Sequence, residues 1–145
     1  MGTRCLTYVF GESGKPIVCV YRQFDGYPDV HGEELKEILA GVPIGNGIPS
    51  GEYRSMFNGM NELAAVLVRE LKARHDIGGI YLVPPEWPPV NHWQEYEWFV
   101  FGATGDSEAS VYYRRTREPV LRYWFGPRGF NDAPEVLRQW VRGKR

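Results

Sequence analysis

Thr3-Arg4-Cys5-Leu6-Thr7-Tyr8-Val9-Phe10 and Pro16-Ile17-Val18-Cys19-Val20-Tyr21-Arg22-Gln23-Phe24 read as two strands, and Gly11-Glu12-Ser13-Gly14-Lys15 reads as the loop that joins them. Both runs are rich in β-branched and aromatic residues, and a five-residue glycine-bearing loop is a hairpin connection. In the second run Ile17, Cys19 and Tyr21 share one face and Val18 and Val20 the other, so both faces are apolar. That pattern predicts a central strand covered on both sides, or an aromatic face packed against a partner. With the turn centred near Ser13-Gly14, Cys5 stands opposite about Arg22 and Cys19 opposite about Tyr8. The two thiols are then offset along the ladder on opposite faces, which does not suit a disulfide. Two free, reduced cysteines are expected.

Downstream, the strand pattern stops at Asp25-Gly26, and Pro28 marks a turn. Glu33 to Ala40 predicts a short helix with Leu35, Ile38 and Leu39 on one face and Gly41 as its stop. Val42 to Phe57 is irregular, with Gly45, Gly47, Gly51, Pro43 and Pro49. Met60, Leu63, Ala64, Leu67, Val68 and Leu71 form one apolar stripe, which predicts a helix over 60–74 with Asn58 as its N-cap. Ile80 to Val83 is a short strand. Pro84, Pro85, Pro88 and Pro89 make a stiff loop carrying Trp87 and leading to Trp93. Glu95–Ala103, Ala109–Thr116 and Pro119–Phe125 predict a meander, and a last helix is expected from Asp132, with Glu135 at capping-box spacing. The expectation is one α+β domain over 1–145. Its sheet is mostly antiparallel, a hairpin plus a C-terminal meander, with about three helices packed on one face.

Composition bounds the function. A chain of 145 residues, 43% hydrophobic and 24% charged, suffices for one real core. No apolar run is long enough to cross a bilayer, and the N-terminus has no signal-peptide pattern. The net charge of −1 is unevenly placed: residues 1–108 hold 8 Lys/Arg against 15 Asp/Glu, and residues 109–145 hold 9 against 3. That balance argues against nucleic acid as the partner, although a basic C-terminal segment can attract phosphates. No phosphate-binding loop, CxxC, HxxxH or GxSxG pattern occurs, so no metal, no cofactor and no catalytic residue is assigned.

The candidate site lies where the second strand ends. Tyr21-Arg22-Gln23-Phe24-Asp25-Gly26-Tyr27-Pro28-Asp29-Val30-His31-Gly32 collects basic, acidic and aromatic side chains at a strand-to-loop junction, the usual place for binding residues. Arg22 and Arg4, on adjacent strands, could take one phosphate or carboxylate. Arg22 could equally pair internally with Asp25 or Asp29. Asp25, Tyr27 and His31, with Asn46, Tyr53 and Asn58 from the long loop, complete a cleft for a small anionic or nucleotide-like ligand. Two alternatives stand beside this binding module. One is a small hydrolase or lyase using His31 and Asp25, the weaker case because no nucleophile or metal accompanies them. The other is a protein-interaction domain using the Trp87–Trp93 loop. A homo-oligomer is left open.

Met1-Gly2-Thr3-Arg4, Tyr21 to Pro28, Asn46-Gly47-Ile48, Phe57-Asn58-Gly59-Met60 and Gly78-Gly79-Ile80-Tyr81-Leu82 together resemble a family of small bacterial, phage and fungal proteins with no established activity. The resemblance covers roughly residues 1–85. It implies no catalytic residue. Occurrence in phages implies, by analogy, a role class of host-defence evasion, in some cases by sequestering a nucleotide-derived immune signal. The reduced cysteines and the N-terminus without a signal pattern predict a cytoplasmic location, the host cytoplasm for a phage-encoded chain.

Overall fold

The computed structural model describes residues 2–46, 56–75, 78–118 and 120–143. It is an α+β fold. A six-stranded sheet is built from β1 (Cys5–Phe10), β2 (Pro16–Arg22), β5 (Ile80–Val83), β6 (Tyr96–Phe101), β7 (Ser110–Arg115) and β8 (Arg122–Phe125), in the order β5-β2-β1-β6-β7-β8. A second, two-residue pairing joins β3 (Ile44–Gly45) to β4 (Phe57–Asn58). The hairpin forms in the expected register, with Cys5 opposite Arg22 and Cys19 opposite Tyr8. Cys5 and Cys19 are buried free thiols in different halves of the core. Burial pushes both up to about 12, so neither ionises near neutral pH.

The hairpin and the meander meet through β1 and β6, which run parallel. A parallel pair needs a crossover, and here everything from β2 to β5 supplies it. Every residue of β1 is buried, because this strand lies between neighbours and under helices on both faces.

Helices on both faces correct the one-face expectation. α1 (Glu33–Leu39) and α2 (Gly59–Arg74) cover the face that carries Cys5, Val9, Val20, Trp98 and Val100. Leu35, Ile38 and Leu39 of α1 are buried, as are Met60, Leu63, Ala64, Leu67 and Leu71 of α2, so the apolar stripe is the packed face. The Asn58 side chain does not cap α2. Instead Glu62 reaches back, and its Oε1 accepts the Asn58 backbone N–H at 2.6 Å.

α3 (Glu135–Gly143) packs on the opposite face. It starts three residues later than Asp132, with Pro134 accepting the first amide bonds from Leu137 and Arg138. Beneath it lies an aromatic layer. Phe10 stacks on Phe101 at 4.3 Å, and Trp87 sits edge-on to Tyr8, Phe10 and Phe99 and 5.0 Å from the Trp140 ring. The proline-rich loop therefore turns Trp87 inward. Among the described residues no helix is long and apolar enough to cross a membrane.

Candidate functional site

The segment from Arg22 to Gly32 is locked in place by its backbone. The chain leaves β2 with the Gln23 amide on the Gly79 carbonyl, and Asp25 takes a positive φ of 64°. Gly26 lies against Cys5, and a Cβ there would stand 2.6 Å from the cysteine Cβ. Its carbonyl accepts the Trp98 indole N–H at 3.0 Å. Pro28–Gly32 then forms a single π-helical turn leading into α1. Gly32 is pressed against Trp98 and Trp124, and its carbonyl accepts the Trp124 indole N–H at 2.7 Å.

This geometry seals His31 beneath the sheet face that α1 and α2 cover. Arg22 Nη1 donates to His31 Nδ1 at 3.0 Å. A guanidinium can only donate, so the imidazole proton sits on Nε2, which donates to Thr7 Oγ1 at 2.7 Å. Burial, with the Arg22 charge beside it and His75 beyond, holds the imidazole well below its ordinary pKa, and it is neutral. Arg22 Nη1 also bonds Glu34 Oε1 at 2.8 Å, and Arg22 Nε donates to the Phe24 carbonyl. His75 Nε2 closes the cluster on Glu34 Oε1 at 3.2 Å. Partial burial works against ionisation of Glu34, but the bonds and charges of Arg22 and His75 outweigh it and hold the carboxyl below its usual value. The internal partner of Arg22 is thus Glu34, which replaces the expected Asp25 or Asp29. Arg22 Nη2 is buried without a hydrogen-bond partner.

On the opposite face a second buried arginine builds an open cleft. Glu97 of β6 pairs with Arg114, its register neighbour on β7, through Nε–Oε1 at 2.8 Å. The other Glu97 oxygen accepts Gln94 Nε2 at 3.0 Å. Each partner pins a surface segment. The Gln94 side chain donates to the Val90 carbonyl and accepts the His92 amide. Arg114 donates from Nη2 to the Thr116 carbonyl at 2.5 Å and from Nη1 to the Glu118 carbonyl at 3.3 Å. The Arg114 guanidinium also lies 4.4 Å over the Trp140 ring. One carboxylate thereby fixes the loop 89–95 relative to the turn 115–118. Between and around them is a cavity of about 900 Å³ bordered by Arg4, Arg115, Arg117, Glu95, Trp93 and Trp140, with Arg114 and Glu97 at the same site. Such a volume suits a small organic ligand.

The expected site residues are therefore divided among three places. Arg22 and His31 meet in the sealed cluster. Asp25 is exposed and Tyr27 half-buried, and neither side chain bonds the His31 ring, although the Tyr27 carbonyl accepts the His31 amide at 2.9 Å. Arg4 borders the cleft on the other face. Asn46 and Asn58 line a separate cavity of about 600 Å³ beside the hairpin loop, with Lys15 and Thr104. Tyr53 lies outside the described residues. Glu97, Arg114 and Gln94 were missed. Their signal was a single carboxylate in the apolar run Tyr96–Phe101 and a single arginine sharing a strand face with Tyr112. Among the described residues no group of three or more His, Cys, Asp or Glu side chains is placed to hold a metal ion. Comparison with protein-family models, with curated proteins and with solved structures finds no match.

Proposed function

We propose that the protein is a small-molecule binding module and that an anionic ligand occupies the arginine-lined cleft. The supporting observation is the Glu97-centred lattice, which holds two cleft-bordering segments in fixed relation before any ligand arrives. Preorganisation of this kind lowers the ordering cost of binding. The local charge favours an anion. Glu97 is neutralised by Arg114 and Glu118 faces Arg122 at 3.6 Å, which leaves Glu95 against Arg4 and Arg117, since the Arg115 guanidinium lies 5.5 Å over the Tyr96 ring. Arginine forks match phosphate and carboxylate geometry.

A hydrolytic reading through His31 and Asp25 has no comparable support, because both imidazole nitrogens are occupied and the ring is fully buried. Holding a ligand without altering it fits the sequestering role that the resemblance implies. The test is calorimetric titration with ATP and with inorganic tripolyphosphate, repeated at raised salt. Saturable binding of at least one anion is expected, weaker at high salt, and lost in the Arg4→Ala/Arg117→Ala double variant with the melting temperature unchanged. Binding of neither anion, or unaltered affinity in the double variant, would overturn the proposal.

A further inference from the structure

Trp93 is at odds with its surroundings. It is 76% exposed, the most exposed large apolar side chain among the described residues. Its φ is 66°, a region that a bulky side chain rarely enters and that costs energy to hold. The strain is maintained by local bonds: the Trp93 amide donates to Asn91 Oδ1 at 2.8 Å, and the next residue is the pinned Gln94. The other four tryptophans each pack against aromatic rings, whereas Trp93 has no ring contact among the described residues. Burial does not compensate this strain, so packing does not explain the placement. Trp93 borders the same cleft as Arg4 and Arg117.

We infer that Trp93 is a stacking platform for a planar ring carried by the anionic ligand, so that the cleft takes a nucleoside phosphate in preference to a simple polyanion. This inference rests on the reading of the cleft as an anion site. The arginines have the donor geometry for phosphates, and an exposed indole offers the π-face on which any base can stack. A cleft of about 900 Å³ is of the size that holds one such molecule. A nucleic-acid strand would find little general attraction in a chain of net charge −1.

The full-length protein is titrated with ATP, inorganic tripolyphosphate and adenosine, and the Trp93→Ala and Trp93→Gly variants are titrated alongside. ATP is expected to bind about ten- to a hundredfold more tightly than tripolyphosphate, the range of one base–aromatic stack. Both variants reduce ATP to the tripolyphosphate level and leave tripolyphosphate affinity unchanged. Trp93→Gly keeps or raises the melting temperature, because glycine accepts the positive φ without strain. Equal affinities for ATP and tripolyphosphate, with no effect of either variant, would overturn the stacking role while leaving the anion site standing. Failure of both anions to bind would overturn the two together. Binding of a thymidylate oligomer more tightly than ATP, abolished in Trp93→Ala, would overturn the small-ligand assignment in favour of a strand.

Discussion

Arg22 and Arg114 lie on opposite faces of one sheet, both nearly out of reach of solvent, each bonded to a glutamate. What surrounds each pair differs. Arg22 joins Glu34 and His31, and His31 joins Thr7, so these bonds close a corner between β2, the π turn and α1, and Gly26 and Gly32 beside them pack directly against Cys5, Trp98 and Trp124. Arg114 directs its outer nitrogens to carbonyls of a surface turn, and its glutamate holds a second surface segment through Gln94. The first network shapes the interior. The second holds the frame of an opening. A buried charge pair is therefore weak evidence for a site by itself. The informative question is whether its remaining bonds lead inward or to loops that border a cavity.

The comparison can be broken by mutation, and the effects should differ in size. Arg114→Ala removes one half of a pair whose partner Glu97 is fully enclosed, and an uncompensated buried carboxylate is expected to cost about 3–5 kcal/mol. Denaturant titration measures this, and a loss below 1 kcal/mol would mean that Glu97 is not confined as described. Arg22→Ala is expected to cost about 1–3 kcal/mol, because Glu34 is 18% exposed and can turn toward water. Anion affinity measured on the folded fraction should be unaltered in that variant, and its loss would transfer the site to the first face.

Acid should act through His31. Its pKa in the folded protein is depressed, so below the ordinary value of about 6.5 the unfolded chain takes up a proton that the folded protein refuses. Stability is complete above that pH and falls as pH decreases, by up to about 1.4 kcal/mol per pH unit for one proton. Glu34, also depressed, adds a loss of the same sign below its usual value near 4.5. Melting temperatures between pH 8 and 5 should show the decline, and His31→Gln should flatten the part above pH 5. A flat wild-type profile would contradict the neutral, buried imidazole. The smallest effect belongs to His75→Ala. This side chain is partly exposed and contributes one bond to Glu34, so the change should stay under about 1 kcal/mol.

Local pattern was the legible part of this chain. The hairpin register follows from loop length and alternation, and the α2 stripe from helical period, both of which involve neighbours in sequence. The parallel β1–β6 pairing joins residues about ninety positions apart, for instance Cys5 and Tyr96, and no local signal encodes it. Placement of α3 on the second face follows from that pairing and was equally invisible. For the site, the rich segment Tyr21–Gly32 drew attention because polar residues gather there, and its glycines and Trp-bonded carbonyls pack it against the core. Glu97 carried a readable cue. It alternates with Phe99 and Phe101, which must face inward, so the carboxylate had to be buried and had to find a cation. Trp93 was legible only as the end of the proline-rich Trp87–Trp93 loop, since its positive φ arises from the bonds around it.

The indole N–H resonances give the most direct test of which face binds. Trp98 and Trp124 donate to Gly26 and Gly32 and report the sealed cluster, while Trp93 and Trp140 border the cleft. In a protein labelled with ¹⁵N at tryptophan, titration with ATP should move the Trp93 signal, carry Trp140 with it, and leave Trp98 and Trp124 in place. Shifts of Trp98 and Trp124 with Trp93 stationary would contradict the account and return the site to the Arg22 segment.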